Sequence, residues 1–536
     1  MELREQLEEA LEKLLATGGD SRQVQDPDSG LTKYGCSMKP RPDVTPLGSC
    51  TASSISETGY AAAAMLLERC RALSSDVDLA DVVSEYFDAI RSELQFHFCR
   101  HDVRDLDILL SPSGTDAELL ALAIAHGVGR PMVTNILIGP SEVGSGTPAA
   151  AAGQYFDELT PSGRQAKPGE PIDHEMASRT SLVCISLREA NGLPRDEKEI
   201  DSEVEAIVAE RVGQGHQILL HVIAHSKTGL HAPSLQTVRG LKAQHGERIT
   251  VVVDAAQGRF SRRGLRRACD DGHLVMTTGS KFFGGPPFAG ALLVPPAANP
   301  LARGMAAMPV AFGDFFAQDY FPASWASVAA NLPRTGSLGA LLRWAAALAE
   351  IREYYATPSR LRLQVLRAFE HAVPDVLGSS SCIRMDEISE PVLGDEVERL
   401  LQSKTTVFSF FVLRRNGEAL GYEALRKIWR WLNLDMSAYA DAAKTSSSSR
   451  DLAPCMQIGQ PVRLGSGDGA AAVLRVALGG ALLTHVAQDP NWGGTYEQRE
   501  ARMIDSLILL KRKIEAIVNH FDHLVEQEAA LESLGG

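Results

Sequence analysis

The chain has 536 residues, of which 44% are hydrophobic and 22% charged, and its formal net charge at pH 7 is −14. This length exceeds what one hydrophobic core usually organises, and the apolar runs are too short to span a membrane. The composition therefore favours a globular protein with no membrane segment, and the negative charge argues against a nucleic-acid-binding protein.

The first segment, MELREQLEEALEKLLATGG, spaces apolar residues at helical intervals with charged residues between them. This pattern predicts a surface helix, not a secretory signal, so we expect a cytoplasmic protein. Residues 17–54, rich in Gly, Pro, Ser and Asp, predict an extended arm. The eight cysteines are scattered without a C-x-x-C pair, so we expect reduced thiols and no metal site.

From about residue 55, helical segments alternate with short apolar runs such as LDILLS, MVTNILIG, QILLHVIAH, ITVVVDAA and LVMTTGSK. Such runs predict the strands of βαβ units in a largely parallel sheet with helices on both faces. Beyond residue 340 the chain is more helical, and TVFSFFVLRR and AVLRVALGG predict strands of a smaller α+β domain. The predicted domains are the helix and arm (1–54), a large α/β domain (55–340) and a small domain (341–536).

Three other segments carry predictions. The polar residues 443–451 predict a mobile loop, and the C-terminal residues predict one long amphipathic helix or two. The basic segment GRFSRRGLRR, residues 258–267, fits a solvated helix start or a subunit contact, and alternatively a phosphate or nucleic-acid contact.

Ligands of open parallel sheets bind beyond the carboxyl ends of the strands, so the residues that follow each apolar run are the candidates for a binding site. After LDILLS, Ser113, Gly114 and Thr115 form a turn that begins a helix, where free backbone N–H groups and two hydroxyls suit a phosphate. Thr115 and Glu118 also fit an ordinary capping box, which is the alternative interpretation.

The next two strands end in ionisable residues. Asp254 ends ITVVVDAA, with Gln257 three residues on, and a carboxylate there needs a cation such as a protonated ring nitrogen. A helix cap or a salt bridge to a nearby arginine is the alternative. Lys281 follows Thr278 and Ser280 after a buried strand, where lost solvation lowers a lysine pKa and suits Schiff-base formation with an aldehyde. A solvated surface lysine is the alternative there.

Arg475 interrupts the apolar run AVLRVALGG, and a buried arginine needs a carboxylate or phosphate partner, or a structural salt bridge. An anion turn, an acid, a lysine and a late arginine, in this order on an α/β scaffold, together describe a pyridoxal-phosphate site.

The sequence resembles the fold-type-I pyridoxal-phosphate-dependent enzymes, and within them the class V aminotransferase and cysteine desulfurase group. DAAQ is similar to that group's D-x-x-Q signature and TGSK to its S-G-H-K segment. The resemblance implies a three-layer αβα large domain with a mostly parallel sheet, a smaller α+β C-terminal domain, and pyridoxal 5'-phosphate as cofactor. It implies that Lys281 forms the Schiff base, that Asp254 contacts the pyridine nitrogen and that Gln257 contacts the ring hydroxyl, with Ser226 close to the ring. The residues implied to bind the phosphate are Ser113, Gly114, Thr115, Thr278 and Ser280. Arg475 is implied to bind the substrate carboxylate.

Two positions depart from the group's pattern. Many relatives place a ring-stacking histidine after a glutamate, whereas Val143 and Gly144 follow Glu142 here, so the stacking residue is unassigned. Desulfurases carry a persulfide-forming cysteine before the late arginine, and Cys455 lies in that region. A reactive Cys455 requires exposure and a positive environment, and an inert half-buried thiol is the alternative.

The resemblance implies an enzyme that acts at Cα of an amino acid or an amino-acid-derived metabolite, with an aminotransferase-like transferase favoured. A C–S lyase, a desulfurase or another β-eliminating enzyme is the alternative, and a non-catalytic scaffold with the same fold is a third. It also implies a homodimer, in which the arm could reach across to the partner subunit.

Overall fold

The computed structural model describes residues 2–72, 78–99, 106–127, 129, 131–298, 303–386, 403–439, 446–465, 470–488 and 493–534. Within these ranges, no helix has both the length and the apolar character that a membrane span requires. The helices, in chain order, are α1 (Glu2–Leu15), α2 (Glu57–Arg71), α3 (Leu79–Cys99), α4 (Gly114–His126), α5 (Thr147–Ala151), α6 (His174–Ser178), α7 (Glu197–Gly213), α8 (Leu235–His245), α9 (Arg262–Asp270), α10 (Leu338–Ala356), α11 (Ser359–Leu377), α12 (Ser403–Thr406), α13 (Tyr422–Leu432), α14 (Ser446–Leu452), α15 (Gly480–Gln488), α16 (Tyr496–Asn519) and α17 (Phe521–Leu534).

A seven-stranded sheet forms the centre of the molecule, in the order β2-β8-β7-β6-β5-β3-β4. Its strands are β2 (Asp107–Ser111), β3 (Val133–Ile138), β4 (Thr180–Ile185), β5 (Gln217–Ile223), β6 (Ile249–Ala255), β7 (Leu274–Thr278) and β8 (Gly290–Val294). Strand β8 pairs antiparallel with β2 and β7, and the other pairs are parallel. The predicted mostly parallel sheet is confirmed.

Both faces of the sheet are buried. Neighbouring residues of its central strands point to opposite faces, and each face packs into a core of its own. In β6, Val252 packs into the main hydrophobic core, whereas Val251 packs into a second core. Helix α4 contributes its apolar side chains to the main core, and α7 and α8 contribute theirs to the second. The result is the predicted three-layer αβα arrangement.

A second sheet of five strands has the order β1-β11-β12-β10-β9. It consists of β1 (Val44–Leu47), β9 (Ile383–Met385), β10 (Val407–Val412), β11 (Cys455–Leu464) and β12 (Ala471–Ala477). Strand β1 belongs to the predicted arm and pairs parallel with β11. The arm is therefore more ordered than its composition predicts, and the domain boundaries stay a prediction.

The structure also bears on the three other segments for which the sequence carries predictions. Residues 443–445 of the predicted mobile loop lie outside the described residues, whereas residues 446–451 lie in helix α14. The C-terminal segment forms two helices, α16 and α17. In the basic segment, Arg259 is buried, and the Arg262 guanidinium donates from Nε to the His97 carbonyl oxygen at 2.6 Å, so both arginines serve internal contacts.

Helix α1 is not a free surface helix, because Leu11 and Leu15 are fully buried. The buried Arg343 of α10 donates to the Leu15 carbonyl oxygen at 3.0 Å and to the Phe288 carbonyl oxygen at 2.8 Å. It therefore connects the end of α1 to the loop that follows Lys281. Helix α10 begins beside α1, and Gly339 leaves room for the Leu14 carbonyl there.

Replacing Gly339 with alanine should loosen α1, because the added Cβ would overlap the Leu14 carbonyl oxygen and lie 2.8 Å from the Thr17 carbonyl oxygen. Overpacking of this kind costs about 1–3 kcal/mol. We expect faster amide hydrogen exchange in residues 2–15 of Gly339→Ala. The matched control is Gly240→Ala in α8, where a Cβ has open space, and exchange in residues 2–15 should stay unchanged. Unchanged protection in Gly339→Ala would contradict this account of how α1 is held.

Candidate active site

A cavity of about 590 Å³ lies at the carboxyl edge of the central sheet. Strands β2, β3, β5, β6 and β7 end beside it, as expected for an open parallel sheet. Nearly all of the predicted site residues line it. These are Ser113, Gly114, Thr115, Asp254, Gln257, Thr278, Ser280, Lys281 and Arg475.

Lys281 follows β7 and its side chain enters this cavity half-buried. Within the described residues, its amine has no hydrogen-bond or ion-pair partner. Burial lowers the pKa of the Lys281 amine, Asp254 opposes this shift, and the positive charge of Arg475 adds to it. The pKa is thus lowered, as the sequence predicts. At a given pH, a larger fraction of this amine is neutral than in a solvated lysine.

The backbone around Lys281 is fixed by close packing against helix α10. A Cβ on Gly279 or on Gly285 would lie 2.7 Å or 2.6 Å from the Ala347 side chain, so neither position has room for one. Between them, Phe282 and Phe283 are each 1% exposed within an aromatic cluster. The lysine therefore projects from a loop anchored on both sides.

Asp254 is half-buried near the end of β6, and its Oδ1 accepts a hydrogen bond from the Ala256 backbone N–H at 3.0 Å. No arginine pairs with it in the described part of the chain. The nearby Arg259 instead donates to the Ser49 hydroxyl at 2.9 Å and to the Leu478 carbonyl oxygen at 3.1 Å. The salt-bridge alternative for Asp254 is therefore not observed, and its outer oxygen is available to a ligand cation.

Gln257 donates from Nε2 to the Cys50 carbonyl oxygen at 3.1 Å, while its buried Oε1 has no partner in the described residues. A buried acceptor without a partner is costly, which is consistent with a ligand donor at this point. Thr278 donates its hydroxyl to the Ala256 carbonyl oxygen at 2.7 Å, so it braces the ends of β6 and β7.

The predicted anion turn begins helix α4, but its capping differs from the capping-box alternative. Ser113 is the N-cap and accepts from the backbone N–H groups of Thr115 and Asp116 at 3.2 and 3.3 Å. Glu118 instead accepts from Asn135 Nδ2 at 2.9 Å, deep in the core. The capping box of Thr115 with Glu118 is wrong because Glu118 points away from the turn into this buried contact.

Arg22 of the arm reaches the same turn, which local sequence patterns did not indicate. Its guanidinium lies 3.4 Å from the Ser113 hydroxyl and 3.5 Å from the Thr115 hydroxyl. Asp20 orients it through a hydrogen bond of 2.8 Å from Nε, and it lies 5.1 Å from the centre of the Phe288 ring. The turn thus gains a cation that suits a phosphate.

Arg22 forms its ion pair with Asp20, and a second acid lies at the turn itself. Asp116 is fully buried and accepts a hydrogen bond from the Ser113 hydroxyl at 2.5 Å. Burial, and then the charge of Asp20, raises the pKa of the Asp116 carboxyl to about 7. A protonated Asp116 would leave the turn with less negative charge, which favours an anion at neutral pH and below.

Ser226 does not line the cavity, because its hydroxyl donates to the buried Glu142 carboxylate at 2.5 Å. Glu142 also accepts from Arg188 Nε at 2.5 Å and from the Thr228 hydroxyl at 2.5 Å. The glutamate that precedes the missing ring-stacking position is therefore the centre of a buried polar network. Val143 and Gly144, at that position, line the cavity wall.

Arg475 is 2% exposed and binds neutral oxygen atoms. Its guanidinium donates to the carbonyl oxygens of Gln460 and Lys227 at 3.0 and 3.2 Å and to the Thr51 hydroxyl at 2.9 Å. No carboxylate neutralises it in the described ranges, so the structural salt bridge is not observed. Its positive charge is available to an anionic ligand group.

Sequence patterns also did not indicate Lys227, which lines the cavity beside Arg475. Its amine donates to the Ser141 carbonyl oxygen at 3.3 Å. Burial, reinforced by the charges of Arg475 and Lys281, lowers the pKa of Lys227 to about 8.

Cys455 is the first residue of β11, half-buried, and does not line the cavity. Burial raises the pKa of its thiol. This environment matches the inert alternative, because reactive cysteines need a lowered pKa. The cysteine in the cavity wall is Cys50, which the arm contributes.

The Arg188–Glu142 pair gives a direct stability test, because the side chains are only 4% and 0% exposed. Arg188→Met removes the cation and leaves a buried carboxylate, which typically costs about 3–5 kcal/mol of unfolding free energy. Lys167→Met is the control, since its exposed pair with Glu170 should contribute at most about 1 kcal/mol. Urea unfolding followed by circular dichroism measures both variants. Equal stabilities of the two would contradict the role assigned to this network.

No family model matches the chain, and no curated protein matches it. Among solved structures, it is similar to a C-DES mutant with glycine covalently linked to the pyridoxal-phosphate cofactor, with a TM-score of 0.51, 12% identity, and coverage of 87% of this chain and 97% of that one. It is also similar to the apo cysteine desulfurase of Thermococcus onnurineus NA1, with a TM-score of 0.48, 12% identity, and coverage of 88% and 95%. At this identity, the first of these similarities shows the fold alone. The chain has the fold of the fold-type-I pyridoxal-phosphate-dependent enzymes, as the resemblance to the class V aminotransferase and cysteine desulfurase group predicts.

Proposed function

We propose that this protein is a pyridoxal-phosphate-dependent enzyme that acts at Cα of an amino acid or an amino-acid-derived metabolite. The observation that carries the proposal is the Lys281 amine, which faces the cavity without a protein partner among the described residues. Asp254 and the turn at residues 113–115 line the same cavity. The three groups needed to hold such a cofactor thus meet at one sheet edge.

The residues present fit the cofactor at each of its functional groups. The helix start at residues 113–115, together with Arg22, suits the phosphate. The free oxygen of Asp254 suits a protonated ring nitrogen, and the unpartnered Oε1 of Gln257 suits the ring hydroxyl. Lys281 would attach the cofactor through its amine. When bound, pyridoxal phosphate supplies an electron-withdrawing ring that takes up the electrons of the bond broken at Cα.

The chain's own residues supply the other requirements of the reaction. Because burial lowers the pKa of Lys281, more of its amine is neutral at a given pH than in a solvated lysine, and the neutral amine can accept a proton and return it to a neighbouring carbon atom. Arg475 orients the substrate by holding its carboxylate, since its guanidinium has no acidic protein partner in the described ranges. Val143, 6% exposed, provides an apolar wall where related enzymes place a histidine.

Within this class we propose an aminotransferase-like reaction. The position of Cys455 outside the cavity supports it against a desulfurase that forms a persulfide on that residue. A C–S lyase needs no protein thiol, so product analysis separates it: transfer of the amino group to an added α-keto acid, without release of ammonia, supports the aminotransferase, and release of ammonia together with a sulfur-containing leaving group supports the lyase. A non-catalytic scaffold would give neither product.

The arm has a role within its own chain in this proposal. Arg22, Cys50 and Thr51 line the cavity of the same chain, so the arm closes the site from within. The homodimer and the cytoplasmic location stay predictions.

Lys281 should carry the cofactor, although Lys227 lines the same cavity. After incubation with pyridoxal phosphate and reduction with borohydride, peptide mapping should find the adduct on Lys281. Lys281→Ala should lose the adduct, and the control Lys227→Ala should retain it. Because its pKa is lowered, Lys281 should react at a lower pH than a solvated lysine does. An adduct on Lys227, or none on the wild-type chain, would overturn the assignment.

Arg22 should bind the cofactor's phosphate. Charged hydrogen bonds contribute about 1.5–3 kcal/mol, so Arg22→Gln should weaken pyridoxal phosphate binding by about 10-fold or more, with partial retention in Arg22→Lys. Binding of pyridoxal, which lacks the phosphate, should not change. The matched control is Arg41→Gln, because Arg41 holds the arm through Asn433 away from the cavity. Equal losses for both ligands would show that Arg22 only positions the arm.

A further inference from the structure

The cavity is cationic although the chain as a whole carries a net charge of −14. Its lining contains two acidic residues, Glu142 and Asp254, and Glu142 is already paired with Arg188. The cationic lining residues are Arg22, Lys33, Lys227, Lys281, Arg426 and Arg475, of which Arg22 is paired with Asp20 and Arg426 with Glu423. Such a concentration of one charge sign in a cleft attracts ligands of the opposite sign.

The cofactor accounts for only part of this charge. Its phosphate would lie at the turn of residues 113–115 with Arg22, and its aldehyde would engage Lys281. Of the other four cations, Lys33 is exposed and Arg426 is paired with Glu423. The remaining two are Lys227, in the segment after β5, and Arg475, in β12, and Arg475 donates to the Lys227 backbone carbonyl oxygen at 3.2 Å. That contact holds the two residues next to each other in the cavity wall.

Neither of these two cations is neutralised by an acid of the described chain. Arg475 binds carbonyl and hydroxyl oxygens, and the Lys227 amine donates to the Ser141 carbonyl oxygen. Glu142 follows Ser141, but its carboxylate oxygens are engaged by Arg188, Ser226 and Thr228. Two like charges that line one cavity repel each other, so an anion that contacts both is favoured there.

A substrate with one carboxylate would satisfy Arg475 and leave Lys227 without a counter-charge. We propose that the substrate is an amino acid whose side chain ends in a second acidic group, and that Lys227 binds this group while Arg475 binds the α-carboxylate. This inference rests on the proposed function, because it needs a bound amino acid in the cavity. The lowered pKa of Lys227 agrees with it, since the charges of Arg475 and Lys281 contribute to that shift.

The experiment measures ligand affinity on the cofactor-loaded protein through changes in its visible absorption. The probes are aspartate, glutamate and O-phosphoserine, each compared with its uncharged counterpart: asparagine, glutamine and serine. Wild type should bind at least one acidic probe about 10-fold or more tightly than its counterpart. The three acidic probes distinguish a carboxylate from a phosphate and a shorter side chain from a longer one.

Lys227→Met should remove this preference by weakening the acidic probes while leaving the uncharged ones unchanged, and Lys227→Arg should restore part of it. Arg475→Gln is the contrasting variant, because it should weaken both kinds of probe. Equal affinities for acidic and uncharged probes in wild type would overturn the inference, and so would equal losses for both in Lys227→Met. Failure of the proposed function has a different signature, namely a wild-type protein that acquires no cofactor absorption at all.

Discussion

The close approach of the lysine loop to helix α10 is the constraint on which the rest of the site depends. Gly279 and Gly285 leave no space for a side chain against Ala347. With the loop pressed onto the helix, Phe282 and Phe283 are buried, and Lys281 is left projecting into the cavity at the end of β7. The glycines therefore determine where the amine lies, although neither takes part in the chemistry.

Helix α10 also links this loop to the N-terminal arm. Arg343 donates both to the loop at Phe288 and to the end of α1 at Leu15. The arm then passes Arg22 over the start of α4 and places Thr51 against Arg475. A segment that precedes the sheet in the sequence thus contributes to both ends of the cavity, the end that suits a phosphate and the end that suits a carboxylate.

The selectivity proposed for the cavity is electrostatic. The half-buried Lys281 amine, the buried Arg475 guanidinium and the Lys227 amine repel one another, and neutral carbonyl oxygens accept hydrogen bonds from Arg475 and Lys227. Of the two acidic residues that line the cavity, Glu142 is already paired with Arg188. The site is thus prepared for anions before any ligand binds, which is the condition for tight and oriented binding.

The sequence predicted the parts of the site that depend on local pattern. Apolar runs located the strands, and the rule that ligands bind at their carboxyl ends brought Ser113, Asp254 and Lys281 to one edge. Arg22 was not predictable, because its contacts lie more than 90 residues away along the chain and no local periodicity encodes them.

Two other residues were beyond sequence reasoning for the same physical reason. Ser226 was expected near the ring, but the buried Glu142 takes its hydroxyl, a pairing that depends on how β3 and β5 lie side by side. Lys227 follows it in the sequence and looks like an ordinary polar loop residue. Its importance comes from Arg475, which approaches it from the second sheet.

The central claim is that this cavity holds pyridoxal phosphate on Lys281. The most direct measurement is a visible absorption titration of the purified wild-type chain with pyridoxal phosphate, alongside Lys281→Ala. The account predicts a band that saturates at one cofactor per chain, bleaches on addition of borohydride, and is absent from the variant. A wild-type chain that shows no saturable band, or a variant that shows the same one, would contradict it.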